Sequence, residues 1–584
     1  MTDLLNTPID ISKVPFSKYG SYLAVCFDPG MKIFTIHNAR RMFGTDMIFH
    51  LTFEHDDNTV EYEVTATPWL VHITAAQGTA WIYMRGDDAV VIEGKGLGIK
   101  LEMVSGKVSW GYEQESYPTR YGIQIADRTY KLIRVDARLY ATIDVLKGLA
   151  ETVGAYDKSP GGQQRNCNTI LIVKPEDDGI LVNLEIAQIE TRKRPGSINT
   201  DKEIKLVKKE WEKFRSMMPA VPVDRLAIAE MTWYNIWSSF VRAEDCYRYD
   251  AMLMSKKFMC SVWTWDHCFN ALAIAMADVR KGVEQFLLPF ELQAESGALP
   301  DFFSPHNEKV WGVTKPPIHG WCFHRLMSRY KIDKKTVRKV YGKLQRWTDW
   351  WMICRDSDQD GIPDYPQGCD SGWDNSTVFD TGYFIESPDL ASYLVLQMKA
   401  LAEMAGTLGD PKSKKYWQKR GDLLLQKFYE HNWKGTHFVA PVSRTHEHNE
   451  NPTSLQTVMP LVLGEHLDQD KFNRLVTILE QEFLTANGPA TEALKSPLYE
   501  DDSYWRGPIW APTTYLLVDG LRRGGREDLA SKIARGFCDM IKEKAGGNYE
   551  NFDASTGRGL RAPGYTWTAS VHMLLLSEFL SKNV

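Results

Sequence analysis

From about residue 223 to the C-terminus, apolar residues recur at helical spacing in twelve segments, and the links between them alternate between short and long. The segments cover roughly 223–243, 265–278, 280–294, 318–330, 335–354, 387–408, 410–431, 454–468, 469–484, 508–525, 527–545 and 567–581. Short links fall near 279, 331–334, 409, 468 and 526, whereas 244–264, 295–317, 355–386, 432–453, 485–507 and 546–566 are long. Short links make consecutive helices antiparallel, so all six long loops should emerge at one end. Twelve alternating helices with one elaborate rim describe an (α/α)6 barrel, and chemistry is expected in the loops of that rim.

Upstream the period is two. Phe49, Leu51 and Phe53 alternate with His50, Thr52 and Glu54, and Val60, Tyr62 and Val64 with Glu61, Glu63 and Thr65. Further β-rich runs lie at 130–135, 170–173 and 180–186, the last two separated by the turn-forming 175–179. Short strands without intervening helices predict an antiparallel β-sandwich over 1–199. The charged amphipathic stretch 200–218 reads either as a linker helix, within 200–220, or as the first helix of the barrel domain at 221–584.

At 584 residues the chain can bury a large core. A net charge of −6 leaves no basic footprint for nucleic acid. The N-terminus lacks a basic region followed by an apolar run, and no apolar stretch reaches 18 residues, so neither secretion nor a membrane span is expected. Nine cysteines, odd in number and without a CxxC pair, suit free thiols in a reducing cytoplasm.

The rim holds carboxylates in unusual settings. Asp370 and Asp374 stand in the loop 355–386, and Glu550 and Asp553 in the loop 546–566. Glycoside hydrolysis needs such a pair, one acid to protonate the leaving oxygen and one carboxylate to activate water or attack; the competing reading is that Asx residues in Gly-rich loops make turns. Asp356, Asp358 and Asp360, followed by Gly361, match the start of an EF-hand-like calcium loop, with Ile362 offering a carbonyl and Asp364 at the ninth position. The twelfth position is Gln367, which excludes a complete EF-hand, so the expectation is either a structural calcium ion or a tight acidic turn. His446-Glu447-His448 lacks a third ligand at helical spacing and reads as a solvated loop.

The segments SVWTWDHCFNALA (261–273), DSGWDNS (370–376), DDSYWRGPIWAPTTYLL (501–517) and NYENFDASTGRG (548–559) resemble, in the same order, those of glycoside hydrolase family 63, whose members include α-glucosidases and mannosylglycerate hydrolases. The trehalases are more distantly similar. The resemblance implies an (α/α)6 barrel, often preceded by a β-domain, and inversion at an α-linked sugar. By motif it implies Asp374 as general acid and Glu550 as general base. The acid should be kept protonated by burial against Trp373 and neighbouring carboxylates, and Glu550 should stay ionised.

The same resemblance places Trp265 and Asp266 in the sugar subsite, although Asp266 could instead cap its helix. Trp505 and Arg506 form a second pair, with the alternative that Arg506 locks a rim carboxylate. Gln293, Asp301 and His319, on or beside the loop 295–317, are further candidates, and Trp373 is expected as a subsite wall. Asp370 stands where relatives commonly carry Glu, which shortens a supporting carboxylate.

These readings converge on an inverting glycosidase for a small α-linked glucoside or mannoside, with water as nucleophile and no organic cofactor. Two alternatives stay open: an inverting sugar phosphorylase, which replaces the base with a phosphate nest, and a non-catalytic carbohydrate-binding protein.

Overall fold

The structure is a computed structural model that describes residues 8–41, 46–104, 120–134, 138–153, 170–189, 195, 197–305 and 309–581. The alternating segments form two antiparallel sheets. One runs, in spatial order, through Leu23–Asp28, Ile33–Asn38, Met47–His55, Gly98–Met103, Ile170–Lys174 and Leu149–Val153. The other runs through Arg120–Ala126, Thr129–Arg134, Leu139–Lys147, Gly179–Ala187, Ala89–Lys95, Gly78–Arg85, Leu70–Ala75 and Tyr62–Thr67. Phe49, Leu51 and Phe53 are buried on one face of their strand, as period two requires.

Helix α1 (Thr200–Arg215) opens with the Asn199 side chain accepting from the Lys202 N–H. It buries Ile204, Val207, Trp211 and Phe214, and Trp211 packs edge-on against Tyr234 and Trp237 of the next helix. One apolar core extends without a break from the sheets into the helices.

Eleven α-helices and one 3-10 segment then occupy the twelve positions. They are α2 (Leu226–Ser238), α3 (Asp266–Ala275), α4 (Val279–Leu287), α5 (His319–Arg329), α6 (Lys334–Cys354), α7 (Pro388–Leu408) and α8 (Pro411–Asn432). After the 3-10 segment Leu455–His466 come α9 (Gln469–Ile478), α10 (Ala511–Arg523), α11 (Glu527–Met540) and α12 (Thr566–Leu575). The eighth position departs from the expected α-helix because Pro460 removes a donor and Gly464 breaks the run at φ 56°.

Four short links end in an aspartate, Asp278, Asp333, Asp410 or Asp468, whose carboxylate accepts a backbone N–H of the following helix. Those caps fix each outer helix sharply against its inner neighbour. The inner ring closes: α3 packs on α5, α5 on α7, α7 on the 3-10 segment, that on α10, α10 on α12, and α12 back on α3. Every residue of α3 and α12 is buried. The N-termini of the inner helices and the long loops therefore share one mouth.

No described helix is long and apolar enough to cross a membrane. Every described cysteine is a free thiol, and Cys167 lies outside the described residues.

Candidate active site

Glu550 lies on the strand Tyr549–Phe552, which pairs with Gly559–Pro563 in a hairpin just before α12. Asp553 closes that hairpin by accepting the N–H groups of Ser555 and Thr556, which is the turn-forming alternative for that residue. Glu550 is 8% exposed and accepts a hydrogen bond of 3.1 Å from the Tyr504 hydroxyl. Burial pushes its carboxyl up to about 7, and the Asp374 charge adds to the rise; the Tyr504 and Tyr565 hydroxyls and Arg561 pull the other way.

Asp374 is exposed at the mouth. The burial expected to hold its proton is therefore not supplied by Trp373, which turns inward. Trp373 is fully buried, 4.8 Å from Trp505, and Trp505 in turn stacks on Trp510 at 3.9 Å. This overturns the expectation of a subsite wall: a side chain with no exposed surface cannot floor a sugar. Its loop position is stabilised by that tryptophan stack, which anchors the acid loop.

Asp374 is held by its neighbours in sequence. The Asn375 amide donates to the Ser503 carbonyl, and its oxygen accepts the Trp505 N–H at 2.8 Å. Arg506 donates to the Asn375 carbonyl at 2.7 Å and pairs with Asp380 at 2.5 Å. The geometry gives Arg506 the locking role. Asp370 is likewise a support, fully buried and accepting from Thr314, Arg355 and Gln367.

Gly372 couples the Asp374 loop to Trp265, itself buried at 1% exposed. Its φ is +72°, and an added Cβ would lie 2.7 Å from the Trp265 ring. Gly372→Ala should cost about 1–2 kcal/mol from the left-handed backbone alone. It should also lower kcat/KM by displacing Trp265, read by thermal unfolding together with steady-state kinetics.

Asp266 opens α3 but makes no capping bond. Both of its carboxylate oxygens are buried without a hydrogen-bond partner, and burial holds the group well above the usual carboxylate range. It lies within electrostatic reach of Lys315, Asp301 and Asp374. Lys315 donates to the Cys369 carbonyl at 2.7 Å and pairs with Asp301 at 3.1 Å. Burial works against its ammonium, but Asp301 and Asp374 outweigh burial and keep it charged.

Two candidates serve elsewhere. Gln293 donates to the Gly297 and Lys343 carbonyls and accepts from Arg346, so its amide is spent on its own loop. His319 is buried among Phe286, Phe290 and Trp347, with Nε2 at 3.2 Å from the Thr264 carbonyl, and burial lowers it to about 3. It positions the backbone leading to Trp265. Sequence reading missed Tyr504, Tyr565, Lys315 and Arg561.

The acidic loop is separate from this pair. Asp356, Asp358 and Asp360 accept the N–H groups of Gly361, Asp360 and Ile362 respectively, and Asp364 accepts that of Ser357. Asp356 Oδ1 and Asp364 Oδ1 are buried without partners. Gln367 caps the single turn Gly368–Ser371.

The sequence profile of the mannosylglycerate hydrolase MGH1-like glycoside hydrolase domain matches residues 260–568. This chain belongs to the MGH1-like glycoside hydrolase family. The match takes in α3, the Asp374 loop and Glu550. As a member of that family the chain is a glycoside hydrolase.

A mannosylglycerate hydrolase from Rubrobacter radiotolerans is 22% identical over 415 residues, covering 54% of this chain and 90% of the relative. A bacterial glucoamylase solved with acarbose aligns with 99% of this chain and 96% of its own at 12% identity and a TM-score of 0.67. The glycoside hydrolase family 63 mannosylglycerate hydrolase of Thermus thermophilus, solved with Tris, aligns with 59% of this chain and 99% of its own, at 18% identity and a TM-score of 0.52. At these identities the two structures establish the fold: an MGH1-like barrel behind an antiparallel β-domain.

Proposed function

We propose that the chain is an inverting α-glycosidase that removes a terminal glucose or mannose from a small glycoside, with Asp374 as general acid and Glu550 as general base. The observation that carries this reading is Asp266. A buried carboxylate with two unpartnered oxygens calls for hydrogen-bond donors, and neighbouring hydroxyls of one hexose supply two. Asp374 lies within electrostatic reach of both Asp266 and Glu550, which supports reading the three carboxyl groups as one site.

Glu550 suits a base that takes a proton from water. A value near neutrality balances being ionised against being basic enough to act. Tyr504 and Tyr565 donate to the carboxylate and orient it. A phosphorylase would present cations and hydroxyls to phosphate at this position; here a carboxylate stands among the hydroxyls. Arg561 lies beside Tyr504, pairs with Asp502 at 2.9 Å and is 38% exposed. Its charge favours an anionic aglycone, such as the glycerate named in the Rubrobacter relative.

The test is a panel of α-glucosyl and α-mannosyl disaccharides and glycerates followed by NMR in phosphate-free buffer. The expected product is the β-hexose before mutarotation. First release of the α-anomer would overturn inversion, and turnover only with added phosphate would move the enzyme to the phosphorylases.

A further inference from the structure

On the far side of the acidic loop three segments converge that the sugar reaction does not use. Isolated backbone bridges join Tyr365 to Ile385 and Ile385 to Val442, which lays these segments side by side. Glu386 follows the central bridge, His446 lies just beyond the third segment, and His431 ends α8. One donor atom each from Asp360, Glu386, His431 and His446 lies within 4.8 Å of all the others.

His431 holds its two nitrogens toward different carboxylates. Its Nε2 is bonded to Glu386 Oε2, and its Nδ1 stands 3.7 Å from Asp360 Oδ2. His446 presents Nε2 to Asp358 at 3.2 Å, and the two imidazoles meet edge to face at 4.8 Å. The solvated loop expected at 446–448 is thus docked at its first residue. Glu386 is fully buried, and its Oε1 accepts no hydrogen bond. Burying a carboxylate oxygen without a donor is costly.

We propose that Asp360, Glu386, His431 and His446 bind one divalent d-block ion of the zinc or manganese type. Two imidazole nitrogens with two carboxylate oxygens form the mixed donor set such ions take, whereas calcium takes six to eight oxygens. Ligands about 2.1 Å from a tetrahedral ion stand about 3.4 Å apart, so an ion would close the cluster by drawing its more widely spaced donor atoms inward.

Asp360 is suited to the task. Its Oδ1 closes the turn by accepting the Ile362 N–H, which leaves Oδ2 facing His431. The other charges at the cluster are the carboxylates of Asp356, Asp358 and Asp364 and the Lys427 ammonium, which donates to the Asp360 carbonyl. The carboxylates are in excess. A bound ion would tie the end of α8 and the segment before α7 to the loop that leads into Asp374. It would brace the acid and take no part in bond cleavage.

The full chain, without a histidine tag and dialysed against chelator, is titrated with Co2+ and with Zn2+. We expect one ion per chain, Co2+ visible bands characteristic of imidazole ligation, and Zn2+ affinity at least tenfold weaker in both His446→Ala and Glu386→Gln. His446 is half exposed on a loop, so its variant tests ligation without threatening folding. No stoichiometric uptake by the wild type, or equal uptake by both variants, overturns the proposal. Calcium that displaces Co2+ at equal concentration and binds His446→Ala undiminished also overturns it and assigns the site to the Asp356–Asp364 loop alone.

Discussion

Glu550→Gln should lower kcat by about 10²–10⁴-fold with the chain folded and sugar still bound. The substitution keeps an oxygen that can accept from Tyr504, so the local hydrogen bonds survive while the basic lone pair is lost. Asp374→Asn should fall by a similar factor for the opposite reason, since an amide cannot donate the proton that the leaving oxygen needs. The pH profile separates the two roles. Glu550 must be ionised to act, and burial has moved it up to about 7. Wild-type kcat/KM should therefore fall as pH drops through about 7. In Glu550→Gln that acid limb should vanish from the residual activity. Residual activity within tenfold of wild type, or an unchanged acid limb, would remove Glu550 from the role of base.

The barrel was legible because period and link length are local properties that a long chain repeats. The alternation at Phe49, Leu51 and Phe53 marked a strand for the same reason, whereas the helix expected at 454–468 fails where Pro460 and Gly464 interrupt it. Asp374 and Glu550 stood out as carboxylates in Gly-rich loops and were paired by motif. The side chains around them did not stand out. Tyr504 meets Glu550 across 46 residues and Asn375 meets Trp505 across 130, and no local period encodes such contacts. Trp373 misled because a tryptophan among polar loop residues looks exposed in sequence, whereas Trp505 packs against it from another loop. His446 misled in the opposite sense, since its partner Asp358 lies 88 residues away.

Arg325→Met should destabilise the chain by about 3–5 kcal/mol, the cost of leaving buried charges without their partner. Arg325 on α5 binds the Asp519 carboxylate of α10, the Tyr515 hydroxyl at 2.8 Å and Glu578, just beyond α12, at 3.0 Å. It therefore joins three inner helices in the half of the barrel away from the mouth. Asp519 keeps Trp321 and Arg523 as partners, and Glu578 keeps Arg329 and Arg522, so the variant should fold. Burial alone would raise Glu578, but Arg325 and Arg329 outweigh it and hold the carboxyl at about 2. A carboxyl depressed in the folded state stabilises above its unfolded value of about 4.5, and that contribution is lost as pH falls from there toward 2. Wild type should thus lose stability steeply below about pH 4.5. Arg325→Met should begin from a lower plateau and lose less over the same window, because part of the depression is already gone. Chemical denaturation at neutral pH and again well inside the acid window reads both effects. Equal losses on acidification in the two proteins would show that Arg325 does not set the Glu578 charge.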